Sequence, residues 1–114
     1  MTKNNYECDK GWYPLINELL DKIQKIVDRD NIEDFEISQI KEKFGELRVY
    51  PYFGTDEIFD LIDEYTEKSV HTCEICGKSG ETRMINGWLK TLCDEHAQER
   101  IEYYDNLYKN VEDK

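Results

Sequence analysis

The sequence predicts an α+β fold: a small helix–β-hairpin–helix part followed by a C-terminal module made of a knuckle, a second β-hairpin and a helix. Three observations carry this reading. Apolar residues recur with helical spacing from about 13 to 28, they alternate with polar ones through 35–53, and the last third holds the pattern C-x2-C-x16-C-x2-H. At 114 residues the chain is one domain, or a small domain with an appended module. We divide it into residues 1–70 and 71–114, expected to pack as one compact unit.

In "PLINELLDKIQKIVDRD" the stripe is Leu15, Ile16, Leu19, Leu20, Ile23, Ile26 and Val27, the spacing of one helix face. Asp9 or Gly11 can open this helix, and Pro14 suits its first turn, where a missing N–H costs nothing. "FEISQIKEKFGELRVYPYFG" alternates instead. It predicts antiparallel strands at about 35–42 and 46–53, with Phe44–Gly45–Glu46 as the hairpin connection and Pro51 pointing to a sheet edge. "TDEIFDLIDEYTEKS" then reads as a helix capped by Thr55 or Asp56, burying Ile58, Phe59, Leu61, Ile62 and Tyr65. The last segment has a weaker stripe through Ile101, Tyr104, Leu107, Tyr108 and Val111, expected to fray near its end.

The formal net charge is -11, with 17 acids against 9 bases in residues 1–70 and 9 against 6 in residues 71–114. Binding to phosphate backbones needs basic surface, so general nucleic-acid binding is not expected. The charge fits solubility or a basic protein partner. No apolar run approaches the roughly 20 residues that span a bilayer. The opening "MTKNNYECDKGWY" lacks the apolar stretch of a signal peptide, and a cytoplasmic location is expected.

Cys73, Cys76, Cys93 and His96 carry the clearest chemistry. Three thiolates and an imidazole are a common tetrahedral zinc set. In "CEICG" two residues separate the sulfurs and Gly77 permits the turn; in "CDEH" residues three apart share a helix face. Asn86–Gly87 between the pairs has the composition of a type I′ hairpin turn. Knuckle, hairpin and ligand-bearing helix together resemble a treble-clef zinc finger over residues 73 to about 108. That class hosts many functions, so it implies a fold and no activity. Four protein ligands close the zinc shell, which points to a structural ion, since catalytic zinc keeps a position open. His71 stands near the knuckle as a candidate base, or as an exposed or supporting residue. Cys8 is expected to be a free thiol.

Over most of the chain, "GWYPLI", "QIKEKFGELRVY" and "CEICGKSGETRMINGWLKTLCDEHA" resemble small uncharacterised proteins of bacteriophages and prophages. The resemblance implies a viral accessory protein in the cytoplasm of a bacterial host. Small acidic phage proteins often bind a host protein, including components of host defence.

Candidate binding residues form three groups. Around the Asn86–Gly87 turn, Ile85 pairs with Trp88, Met84 with Leu89 and Arg83 with Lys90, so two cations flank an indole. This face can stack a base and hold a phosphate, or receive an acidic partner. Alternatively Trp88 packs on the α/β part with the cations at its edge. Arg48, Tyr50 and Tyr52 form the second group, facing away from a core that takes Leu47, Val49 and Phe53. Trp12 in "GWY" is the third, either exposed or closing the core. The function expected is a non-enzymatic protein that binds a host protein. The alternatives are a nucleotide-signal sequestering protein using Arg48, Arg83 and Lys90, and a zinc-supported nuclease using His71.

Overall fold

The computed structural model describes the backbone of residues 5–112 and the side chains of residues 5–109. In chain order the elements are β1 (Tyr6–Glu7), a 3-10 turn (Lys10–Trp12), α1 (Tyr13–Arg29), β2 (Ile37–Lys43), β3 (Glu46–Pro51), α2 (Asp56–Ser69), β4 (Glu81–Ile85), β5 (Trp88–Leu92) and α3 (Asp94–Glu112). The α+β order of helix, hairpin, helix, hairpin and helix is the one expected from the sequence.

α1 starts from the 3-10 turn with Pro14 in its first turn, and it buries Ile16, Leu19, Leu20, Ile23 and Ile26. Burying a side chain of this size stabilises the fold by roughly 1.5–3 kcal/mol. β2 and β3 pair antiparallel around Phe44 and Gly45, whose φ angles of 55° and 82° are both left-handed. That is the type I′ geometry, which matches the twist of the flanking strands. β1 adds a short parallel pairing on the other side of β2, with Tyr6 opposite Ile40. The sequence reading lacks this strand, because two residues show no period. β3 ends at Pro51 rather than 53, so Phe53 leaves the sheet and is exposed instead of facing the core.

The Thr55 hydroxyl caps α2 by accepting the Ile58 N–H at 3.3 Å. Ile58, Ile62 and Tyr65 point inward, while Phe59 is exposed, contrary to expectation. One residue along a helix is a rotation of about 100°, which carries Phe59 off the buried line. The main core joins α1, α2 and one face of the sheet through Leu19, Ile23, Ile40, Leu47, Ile58 and Tyr65. A second, much smaller core contains Cys73, Ile85, Leu92 and Ala97, with Ile75 and Tyr104 at its edge.

The two cores are tied together by the segment before α1. Trp12 is fully buried and its indole N–H donates to the Thr72 carbonyl at 2.8 Å. The neighbouring Gly11 N–H donates to the Glu74 carbonyl at 2.7 Å. A Cβ at Gly11 would stand 2.4 Å from the carbonyl oxygens of Cys73 and Glu74, so only glycine allows this approach. On the other side, the Thr91 hydroxyl donates to the Gly45 carbonyl. Trp12 is therefore a core residue, and its candidacy as a binding residue is corrected.

Beyond this junction α3 runs outward. The molecule measures 62 × 25 × 19 Å with a radius of gyration of 17.1 Å, against about 13 Å for a compact chain of similar length. On α3, Ile101, Leu107 and Tyr108 are exposed; Val111 lies outside the described side chains. No described helix is long and apolar enough to cross a membrane.

Candidate metal centre

Cys73 and Cys76 lie in the loop between α2 and β4. A bridge between Thr72 and Ser79 closes the loop, the Cys73 N–H donates to the Lys78 carbonyl at 2.7 Å, and the Gly77 N–H returns to the Cys73 carbonyl at 2.9 Å. Gly77 has φ 82°, a left-handed turn that glycine adopts without strain. Cys93 follows β5 directly and its carbonyl accepts the Ala97 N–H at 2.9 Å, so it opens α3. His96 sits one turn on.

The four side chains converge. One donor atom from each of Cys73, Cys76, Cys93 and His96 lies within 4.8 Å of every other. Cys76 Sγ is 3.8 Å from Cys93 Sγ; His96 Nδ1 is 3.2 Å from Cys93 Sγ and 3.7 Å from Cys73 Sγ. A tetrahedral ion with metal–sulfur bonds of about 2.3 Å sets sulfurs about 3.8 Å apart. The donor set and its spacing fit a metal ion, with Nδ1 as the histidine ligand. All four predicted ligand positions are thus brought together.

The electrostatics favour the ligating forms unevenly. Burial pushes the Cys73 thiol up, but hydrogen bonds from the backbone at Cys76, Cys93 and Ile75 outweigh it and hold Cys73 at about 6, below its ordinary 9.0. Cys76 is raised: a backbone bond near Lys78 opposes this, but desolvation and the neighbouring thiols prevail. His96 is raised by its hydrogen bonds to Cys93 and Cys73. These groups share protons in the absence of an ion, and a cation bound among them would displace those protons.

Glu74, inside the knuckle, is a feature the sequence reading did not single out. Its side chain is 3 % exposed, accepts the Asp9 N–H at 3.0 Å and faces Lys90 at 3.5 Å. Burial raises its carboxyl, and the Asp9 N–H and Lys90 oppose that rise. One carboxylate thus links the N-terminal segment, the knuckle and β5.

Of the candidate binding residues, the cross-strand pairs Arg83–Lys90, Met84–Leu89 and Ile85–Trp88 form as the spacing predicts. The cations do not act as a pair beside the indole. Arg83 is held by Asp94 at 2.6 Å, and Lys90 by Glu74 and Glu42 at 3.5 and 3.7 Å. Trp88 is 64 % exposed and so does not pack on the α/β part. Arg48 is bound to Glu46, with Tyr50 and Tyr52 exposed nearby in sequence. His71 is exposed, its ring nitrogen 3.2 Å from the Glu67 carboxylate. Cys8 is a free, half-buried thiol.

The sequence reading also lacks a groove of about 730 Å³. Phe44, Met84, Trp88, Leu89 and Tyr104 line it. The sequence signal for it was an aromatic residue in the first hairpin turn, where a polar residue is usual. No protein family, curated protein or solved structure matches the chain.

Proposed function

We propose that the chain is a non-enzymatic binding protein that engages a host protein, with a structural zinc ion held in a treble-clef-like module. Zinc is the ion that three thiolates and an imidazole suit best, and four protein ligands leave it no open position for chemistry. Gly77 in the knuckle, the Asn86–Gly87 hairpin and two ligands at the start of α3 support the treble-clef reading. The resemblance to phage proteins supplies the bacterial host and the prospect that the target belongs to its defences.

The observation that carries the binding reading is a run of exposed aromatic residues where β3 hands over to α2. Tyr52 is 70 % exposed, and Tyr50, Phe53 and Phe59 are exposed with it. Phe53 stacks edge-on against Phe35 at 6.0 Å, which fixes its ring. A Cβ added at Gly54 would stand 3.4 Å from the Phe59 ring, so that ring lies against the connecting loop. Rigid aromatics lose little entropy on binding and dominate interface energetics. Asp56 at the start of α2 suits a basic target, while Glu57 beside it is held by Arg29 at 2.7 Å.

The nucleotide alternative requires unpaired cations, and Arg48, Arg83 and Lys90 each already hold a carboxylate. The nuclease alternative requires a second catalytic group beside His71, whose neighbour is the exposed Glu67. The binding reading is tested by affinity purification from bacterial lysate, followed by reconstitution with the purified target. Wild type is expected to retain one specific protein that Tyr52→Ala releases. Recovery of no specific protein, or undiminished capture by Tyr52→Ala, would contradict it.

A further inference from the structure

α3 leaves the molecule with an uncovered apolar stripe. Ile101, Leu107 and Tyr108 are exposed, Tyr104 is half-buried between them, and the Tyr108 hydroxyl touches the second hairpin only at its turn, donating to Asn86 at 2.8 Å. Helices in proteins are held mainly by packing an apolar face rather than by propensity. Beside the stripe lies the groove of Phe44, Met84, Trp88 and Leu89, walled on α3 by Arg100 and Tyr104.

Phe44 adds an independent mark. It adopts φ 55°, a left-handed conformation unfavourable for a bulky residue, and its ring is 65 % exposed. Backbone strain of this kind persists where the side chain is needed. Asparagine would suit the turn better.

The charges are complementary as well. On the groove's rim Lys43 stands over the Phe44 ring at 5.6 Å, and neither Lys43 nor Arg100 has an ion-pair partner among the described residues. The exposed flanks of α3 are acidic, with Glu99, Glu102 and Asp105. A concave apolar groove with a basic rim and a protruding apolar helix with acidic flanks thus occur side by side on one chain.

We infer that these are two halves of one interface: two copies of this chain pair about a two-fold axis, the α3 stripe of each lying in the groove of the other. Because α3 forms both a wall of the groove and the element that fills it, the contact is reciprocal, as a closed two-fold interface requires. Phe44, Met84, Trp88, Ile101, Leu107 and Tyr108 together expose apolar area on the order of 600 Å² per protomer. A standard interface buries roughly 800 Å² per partner, so the exposed apolar area is comparable with that of a specific two-fold contact. The pairing stands apart from capture of a host protein, which uses the patch around Tyr52.

The test is sedimentation equilibrium of the full zinc-loaded chain across a wide concentration range, with Phe44→Asn, Leu107→Asp and the control Lys25→Ala. The wild type and the control are expected to pass from 13.7 kDa to twice that mass. Phe44→Asn relieves the turn and Leu107→Asp alters an exposed site, so both should keep native circular dichroism and full zinc content. Each is expected to raise the dimer dissociation constant at least about tenfold. A chain that stays monomeric at millimolar concentration, or a dimer that either variant leaves intact, overturns the inference.

Discussion

Gly11 and Cys8, a few residues apart, show how closely the N-terminal segment is fitted to the knuckle. A Cβ at Gly11 would meet two carbonyl oxygens at 2.4 Å, and backbone atoms cannot swing aside as a flexible side chain can. Gly11→Ala should therefore lower unfolding free energy by about 3 kcal/mol, read by thermal or denaturant melting; a loss under 1 kcal/mol would mean that the junction is loose. Cys8 is pushed up to about 12, chiefly by burial, with Glu74, Asp9 and Glu42 adding to the rise. Its ordinary value is 9.0, so the unfolded chain ionises first as the pH rises. The stability this thiol contributes is complete below pH 9 and is lost between about 9 and 12. Cys8→Ala should flatten that part of the stability profile, and native Cys8 should resist alkylation at pH 8. Rapid labelling there would show an accessible thiolate.

Among the elements, the C-terminal hairpin and α3 are the ones that an ion at the cluster of Cys73, Cys76, Cys93 and His96 would hold most directly. Among the described residues, the buried apolar members of their own core are Cys73, Ile85, Leu92 and Ala97, whereas structural zinc supplies roughly 10–16 kcal/mol in small modules. Cys76→Ser or chelation should therefore make residues 73–108 protease-sensitive, while α1, α2 and the β2–β3 hairpin keep partial protection. Protection of the C-terminal part after zinc loss would refute a structural ion. Acid should mimic the chelator. In the absence of an ion Cys73 is depressed to about 6, so its stabilising contribution there is present above the ordinary thiol value of 9.0 and is lost as pH falls through 6. Ion binding needs the same deprotonated thiolates, so zinc retention should fall from pH 8 to 5. Most of these elements were legible in the sequence because each has a strong local signal: the α1 period, the Thr55 cap, the alternation of β2 and β3, and the ligand spacing. β1, Glu74 and the groove were not legible. They arise where segments distant in sequence meet, and Phe44 and Trp88 acquire a shared surface only after the two hairpins are docked.

The whole molecule joins the α/β core to the module that carries the cluster of three cysteines and a histidine, with Trp12, Gly11 and Glu74 at the seam. The module carries α3 and one wall of the groove. The exposed aromatics around Tyr52 belong to the α/β part, so the proposed capture of a target should outlast mild chelation, whereas the proposed dimer should not. A target lost at the same chelator concentration as the dimer would show that the two surfaces are not separate. Beneath both surfaces lies the claim that a closed, four-ligand zinc holds the C-terminal third. X-ray absorption at the zinc edge on the purified, unchelated chain tests this most directly. One zinc per chain is expected, with three sulfurs at about 2.3 Å and one nitrogen at about 2.0 Å. A bound water or carboxylate oxygen in that shell, or zinc far below one equivalent, would contradict it.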